Sequence, residues 1–195
     1  MIGYPNGKTA ARSVNAQPLK QSAGGRGMSL ENDLNKTNEY YLQLDKAVIH
    51  KKPTPIQIVQ VDYPKRSAAK ITEAYFKVPS TTDYNGVYRG KAIDFEAKET
   101  RSKTSFPFSH IHLHQIEHLD RVLRQGAIAF VIVRFIAYDE TYYVDAAKMI
   151  RQYRLAERKS LPYSWFVQEG ILIPYSLTPP VHYLRVIDEL YFKEK

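Results

Sequence analysis

The fold turns on one stretch, Ser80-Thr-Thr-Asp-Tyr-Asn-Gly-Val-Tyr-Arg-Gly-Lys-Ala-Ile-Asp-Phe-Glu-Ala-Lys98. From Ile93 onward it alternates strictly, with Ile93, Phe95 and Ala97 on one face and Asp94, Glu96 and Lys98 on the other, as a strand requires. If Arg89-Gly90 is a two-residue turn, residues whose numbers sum to 179 face each other across a hairpin. Asp83 then lies opposite Glu96 and Thr81 opposite Lys98, all on one face. Tyr84 meets Phe95 and Gly86 meets Ile93 on the other face, which makes a sensible core.

Two carboxylates directly opposite one another repel, and a purely structural hairpin gains nothing from them. A divalent cation between them turns that repulsion into binding, and magnesium prefers oxygen ligands completed by water and phosphate. Lys98, on the same face, is placed to stabilise charge developing on a phosphate. The Thr81 hydroxyl or carbonyl is a further candidate oxygen ligand. A competing turn signal sits within the same stretch: Asn85-Gly86 also favours a tight hairpin and would move Asp83 out of register with Glu96. The later turn is the better reading, because the early one leaves Tyr88 to Glu99 without its natural partner.

Outward from this stretch, charge is unevenly spread. The 195 residues carry 28 basic and 20 acidic side chains, a net charge of +8. Met1 to Leu30 holds four basic and no acidic residues, Lys51 to Ser80 six basic and two acidic, and Thr81 to Thr100 three basic and four acidic. An acidic island in a basic chain suits a metal-using enzyme that grips a polyanion, although the total alone reads equally as solubility. There are no cysteines, which excludes disulfides and thiolate metal sites and fits a cytoplasmic protein. The longest apolar run, Ala127 to Val133, is too short to span a bilayer, and no membrane role is expected.

The length suits one core, and the order of elements implies an α/β domain: a mixed central sheet flanked by helices. Residues 1–27 read as a basic N-terminal arm and 28–195 as a single domain. Ser29 is a candidate cap for a helix carrying Leu30, Leu34 and Tyr41, and Ala47 to His50 a short strand. Between about 51 and 78 lies an insertion with Pro53, Pro55 and Pro64 and six cations, unlike any core element. Ser109 is expected to cap a helix running to about Arg124 and stopping at Gly126. Ala127 to Phe135 reads as a strand buried on both faces and Thr141 to Val144 as another. Asp145 can cap a helix to about Lys159, with Lys148, Arg151, Arg154 and Arg158 on one face. Gly170 to Tyr175 is a candidate last strand, before a helix opened by Pro180.

Asp83 and Glu96-Ala-Lys98 resemble the PD-(D/E)XK nuclease core, with Thr82 where the proline usually stands. Around them, Gly25-Arg-Gly-Met-Ser-Leu-Glu31, His50-Lys-Lys-Pro-Thr-Pro55, Tyr63-Pro-Lys-Arg-Ser67, Asp94-Phe-Glu-Ala-Lys-Glu-Thr100 and Lys103-Thr-Ser-Phe-Pro107 together resemble the RecU family of Holliday junction resolvases. The resemblance runs from about Gly25 to the C-terminus. It implies a restriction-endonuclease-like core with a protruding stalk at about 51–78. It also implies a homodimer that nicks four-way junction DNA symmetrically, in recombination and repair, near the nucleoid and alongside other recombination proteins. Its metal ligands would be Thr81, Asp83, Glu96 and Gln115, holding magnesium, with manganese as a substitute. Asp83, Glu96 and Lys98 would be catalytic. Lys65 and Arg66, where the stalk turns back, would bind DNA.

Plainer readings stand beside these. Gln115 shares a helical face with Leu119 and Val122, so from the residues alone it is a core-edge glutamine. His110, His112, His114 and His118 lack a third ligand at zinc-site spacing and read as surface or DNA-proximal histidines. Glu31 serves equally as a partner of the helix dipole, the cationic helix face as a solvated one, and Asp94 as a polar neighbour of the site. Two further functions stay open: a non-catalytic DNA-binding scaffold for recombination, and a nuclease of the same superfamily acting on another DNA structure.

Overall fold

In the computed structural model, which describes residues 29–77, 80–155 and 157–193, the hairpin closes at Arg89-Gly90. Both turn residues have positive φ, 48° and 75°, as a type I′ turn demands. Arg89 is held there by Asp188 at 3.2 Å and by the ring of Phe192, 4.4 Å from its guanidinium carbon. The residue pairs are Tyr84–Phe95, Asn85–Asp94, Gly86–Ile93, Val87–Ala92 and Tyr88–Lys91.

In chain order the elements are α1 (Leu30–Gln43), β1 (Val48–Lys51), β2 (Ile56–Asp62), a 3₁₀ turn (Arg66–Ala68), β3 (Lys70–Phe76), β4 (Tyr84–Tyr88) and β5 (Lys91–Thr100). There follow β6 (Ser105–Pro107), a 3₁₀ turn (Phe108–His110), α2 (Leu113–Arg124), β7 (Ile128–Phe135), β8 (Glu140–Asp145) and α3 (Ala146–Leu155). The chain continues with β9 (Ser160–Pro162), α4 (Tyr163–Glu169), β10 (Ile171–Ile173), α5 (Tyr183–Ile187) and a π-helical turn (Asp188–Phe192). The basic arm expected at 1–27 lies outside the described residues.

Six strands form a mixed sheet in the order β1-β4-β5-β7-β8-β10, in which β5 and β7 run parallel and the other pairs antiparallel. Helix α2 carries the crossover between the parallel strands. Every residue of β7 is buried, because its faces serve two cores. Ile128, Phe130 and Ile132 pack with α1 and α5 through Leu30, Leu34, Tyr41, Tyr183 and Leu184. Ala129, Val131 and Val133 pack with α2, α3 and α4 through Ile116, Leu119, Met149 and Phe166. Phe95 stacks between Tyr84 and Phe130, with ring centroids 4.7 and 4.6 Å away.

The competing glycine signal has a different cause. Gly86 lies inside β4 opposite Ile49, and a Cβ there would collide with the Val48 carbonyl and the Ile49 backbone. A close approach of β1, not a turn, requires glycine.

Boundaries differ from the sequence reading at three helices, of which the last, α5, begins at Tyr183 with His182 as its N-cap and not at Pro180. Helix α2 begins at Leu113, because Phe108–His110 makes a 3₁₀ turn first and His112, not Ser109, is the N-cap. Helix α3 ends at Leu155, so Arg158 lies beyond it. Ser29 caps α1 as expected, its Oγ accepting the Asn32 N–H, and Asp145 accepts the Ala147 N–H.

Between β1 and β4 the chain leaves the main sheet as the β2–β3 hairpin, a separate two-stranded ribbon whose residues are all exposed. Its base is closed by the Lys77 N–H donating to the Pro55 carbonyl at 2.9 Å. The ribbon is ordered by its own antiparallel ladder. Pro53 and Pro55 precede it and Pro64 lies at its turn.

Candidate active site

The site forms where the hairpin strand β5 passes under the start of α2. On that face Asp94, Glu96 and Lys98 neighbour Ala129, Val131 and Val133 of β7, which are wholly buried. Glu96 is therefore a carboxylate at the edge of an apolar layer, with 0% of its surface exposed. Strand pairing stops at Tyr84, one residue short of Asp83, but the chain continues along β5. The Asp83 N–H donates to Glu96 Oε2 at 3.1 Å. The other carboxylate oxygen, Oε1, lies 2.7 Å from Lys98 Nζ, yet no donor meets it in hydrogen-bonding geometry. Asp83, Glu96 and Lys98 are thus brought together as the register requires.

Burial pushes the Glu96 carboxyl up to about 8, opposed by the Lys98 ammonium and reinforced by Asp83. Without a further cation, this site favours a protonated Glu96. The donors expected for a cation here (two carboxylates, the Thr81 oxygens and the Gln115 amide oxygen) are all oxygen, as a hard divalent cation prefers. The orphaned Oε1 fits such an ion. Among the described residues no three His, Asp or Glu side chains group as a metal cluster, so a cation here would need oxygens beyond the two carboxylates.

Thr81 is half-buried, two residues before Asp83, and its hydroxyl donates to the Thr82 carbonyl at 3.3 Å. Gln115 is buried on the first turn of α2, but its Oε1 accepts the His112 N–H at 2.9 Å in a capping box. The amide oxygen keeps one further lone pair. Glu31 pairs with Lys51 at 2.5 Å, and the Leu30 N–H at the start of α1 donates to Glu99 Oε1 at 2.7 Å. Lys65 and Arg66 are exposed at the far turn of the β2–β3 ribbon. Seven residues of strand put them about 20 Å from the ribbon's base.

Asp94 proves more than a polar neighbour. It is 7% exposed and its carboxylate meets three donors: Lys52 Nζ at 3.1 Å, His118 Nε2 at 3.1 Å and the Thr82 hydroxyl. Its alternation in phase with Glu96 was the available sequence signal. His112 and His114 stack with centroids 5.4 Å apart, and burial, with His112 and Lys98 nearby, holds the His114 ring below the ordinary histidine range.

An opposed acid pair with a lysine two residues on, carried by a strand of a mixed α/β sheet, defines the PD-(D/E)XK class of site. Residues 25–189 match the family model RecU, recombination protein U, and the chain belongs to the RecU family. It is 53% identical to the Holliday junction resolvase RecU of Oceanobacillus iheyensis over 98% of this chain and 100% of that one. It is likewise 53% identical to the protein of that name from Bacillus thuringiensis (strain Al Hakam), over 98% of each. The solved structure of Archaeoglobus fulgidus Hjc, a Holliday junction resolvase, overlays at a TM-score of 0.39 and 12% identity, covering 72% of this chain and 95% of that one, too loosely to bear on fold or function. Among the described residues no helix is long and apolar enough to cross a membrane.

Proposed function

We propose that this chain is a divalent-metal-dependent endonuclease that resolves four-way DNA junctions by paired nicking. The observation that carries this reading is the buried Glu96 carboxylate, which accepts the Asp83 N–H on one oxygen and has the Lys98 ammonium 2.7 Å from the other, outside hydrogen-bonding geometry, in a chain of the RecU family. Asp83 and Glu96 hold the cation, with Thr81 and Gln115 as further oxygen ligands. Magnesium is the expected ion and manganese a substitute. The bound cation supplies Lewis-acid polarisation of the scissile phosphate and activation of water. Lys98, a wholly donating side chain, stabilises the charge that accumulates on the phosphate in the transition state. Glu96 keeps Lys98 aimed at the reacting centre through their 2.7 Å contact, and the dry β7 side of the site strengthens both interactions.

Residues 28–195 act as one nuclease domain with a stalk at about 51–78. A homodimer, the natural arrangement for two symmetric nicks, is supported by the stalk itself. An isolated two-stranded ribbon is marginal in water, yet this one exposes Ile56, Ile58, Val59, Val61 and Ile71. Lys65 and Arg66 at its turn would contact junction phosphates.

A gel assay of purified protein on a four-way junction and on matched linear duplex, with and without Mg²⁺, tests the reading. Symmetric nicks on the junction alone, only with metal, are expected. Junction binding without cutting would instead support a non-catalytic scaffold.

A further inference from the structure

Lys52 is the first residue beyond β1, on the leg that leads into the stalk. Its backbone N–H donates to the Asp83 carbonyl at 2.7 Å. Its ammonium donates to Thr82 Oγ1 at 3.0 Å and to Asp94 Oδ2 at 3.1 Å. Thr82, itself bonded to Asp94, lies between Thr81 and Asp83 in the chain. Asp94 lies two residues before Glu96 on β5 and also accepts from His118, three residues beyond Gln115 on α2. One small network therefore ties together the loop, the strand and the helix that carry all four candidate metal ligands.

The two carboxylates of this face are differently provided for. Asp94 meets three donors and has a cationic partner of its own, so it has no need of a metal. Glu96 also has a cationic neighbour, Lys98 at 2.7 Å from Oε1, but that contact lacks hydrogen-bonding geometry and the one hydrogen bond the carboxylate accepts is from the Asp83 N–H. Outer groups that orient metal-ligating side chains typically change metal affinity 10- to 100-fold when removed. The Lys52 side chain is 21% exposed, directed at Thr82 and Asp94 and not into solvent.

We propose that Lys52, anchored by Asp94 and His118, is a positioning residue that fixes the Thr81–Asp83 loop for metal binding and joins the root of the stalk to the cutting centre. The inference rests on the reading that Asp83 and Glu96 hold a divalent cation. Lys52 acts through Thr82 and the Asp83 backbone and touches neither metal nor substrate. Deleting its ammonium leaves every ligand in the chain but lets the loop drift.

The test compares wild type, Lys52→Met, Asp94→Asn and Glu96→Ala. Mn²⁺ affinity of the DNA-free protein is read by electron paramagnetic resonance, junction affinity in Ca²⁺, and single-turnover cleavage across a Mg²⁺ series. Lys52→Met should weaken Mn²⁺ binding and raise the half-saturating Mg²⁺ about ten-fold or more. Cleavage should recover as Mg²⁺ saturates, with junction affinity little changed. Asp94→Asn should move the same way. Unchanged Mn²⁺ affinity in Lys52→Met, or weakened junction binding with unchanged metal affinity, overturns the proposal, the latter making Lys52 a phosphate contact. If Lys52→Met does not fold, His118→Gln carries the same test with a smaller shift in the same direction, and no shift overturns it. Glu96→Ala separates the two levels. Should it bind Mn²⁺ as wild type does, the metal reading itself fails. Should it lose Mn²⁺ while Lys52→Met keeps it, only the positioning role fails.

Discussion

Glu96 receives the backbone N–H of Asp83 at 3.1 Å, so the second acid is held by the main chain of the first while the Asp83 carboxylate stays available. Asp83→Ala should therefore leave Glu96 in place, since the bond belongs to the backbone. Both Asp83→Ala and Glu96→Ala should abolish cutting and leave junction binding in Ca²⁺ intact, because each removes a ligand and no phosphate contact. Wild-type cleavage by either variant at saturating Mg²⁺ would refute the assignment.

Lys98→Ala should act on the chemical step. A lost electrostatic stabiliser of the transition state costs roughly 10²-fold or more, while junction affinity stays near wild type. Single-turnover cleavage within a few-fold of wild type would make Lys98 a bystander.

The burial of Glu96 gives the metal-free protein a pH signature. Its carboxyl is raised from 4.5 to about 8 in the folded chain, so between those values the folded state holds a proton that the unfolded state releases. The contribution of Glu96 to stability in EDTA should therefore fall as pH rises through that window. Saturating Mg²⁺ should restore it at the alkaline end, because binding to the folded state alone stabilises that state. Thermal unfolding from pH 5 to 8 checks both effects, and Glu96→Gln should flatten the slope. Burial lowers the His114 and His182 rings and tilts both proteins alike the other way, so a wild-type slope in EDTA equal to that of Glu96→Gln would contradict the burial.

The register of the site was legible because it depends on nearest neighbours: the Arg89-Gly90 turn and a strict alternation from Ile93. What stayed hidden depends on contacts distant in sequence. Gly86 looked like a turn residue, and only β1 lying against it shows why glycine is needed. Gly86→Ala should destabilise by about 1–3 kcal/mol through overpacking, read from denaturant unfolding. Asp94 meets Lys52 from 42 residues away and His118 from 24, so its alternation suggested a site neighbour but not a hub. Helix α2 starts late because His112 and Gln115 form a capping box, where Ser109 offered the commoner signal. Strands β6 and β9, three residues each, carry too little pattern to be seen before pairing.

Recognition of a junction should reside in the stalk. Phosphate contacts carry little sequence information, so a basic surface alone binds any DNA, and selectivity for a junction must come from shape. The β2–β3 ribbon projects two exposed cations, Lys65 and Arg66, at its turn, about 20 Å from its base. A four-way junction gathers phosphates from four strands around an open centre that linear duplex lacks, and a ribbon from each subunit of the proposed dimer would enter it. The double substitution Lys65→Ala/Arg66→Ala removes charge from an exposed turn with no core contacts, so folding and metal binding should be unaffected. It should weaken junction binding more than duplex binding. Both affinities must be measured at one salt concentration, because phosphate-driven binding falls steeply with ionic strength. Equal losses on the two substrates would reduce the turn to a general electrostatic patch, and junction selectivity would then have to come from the geometry of the two cutting centres.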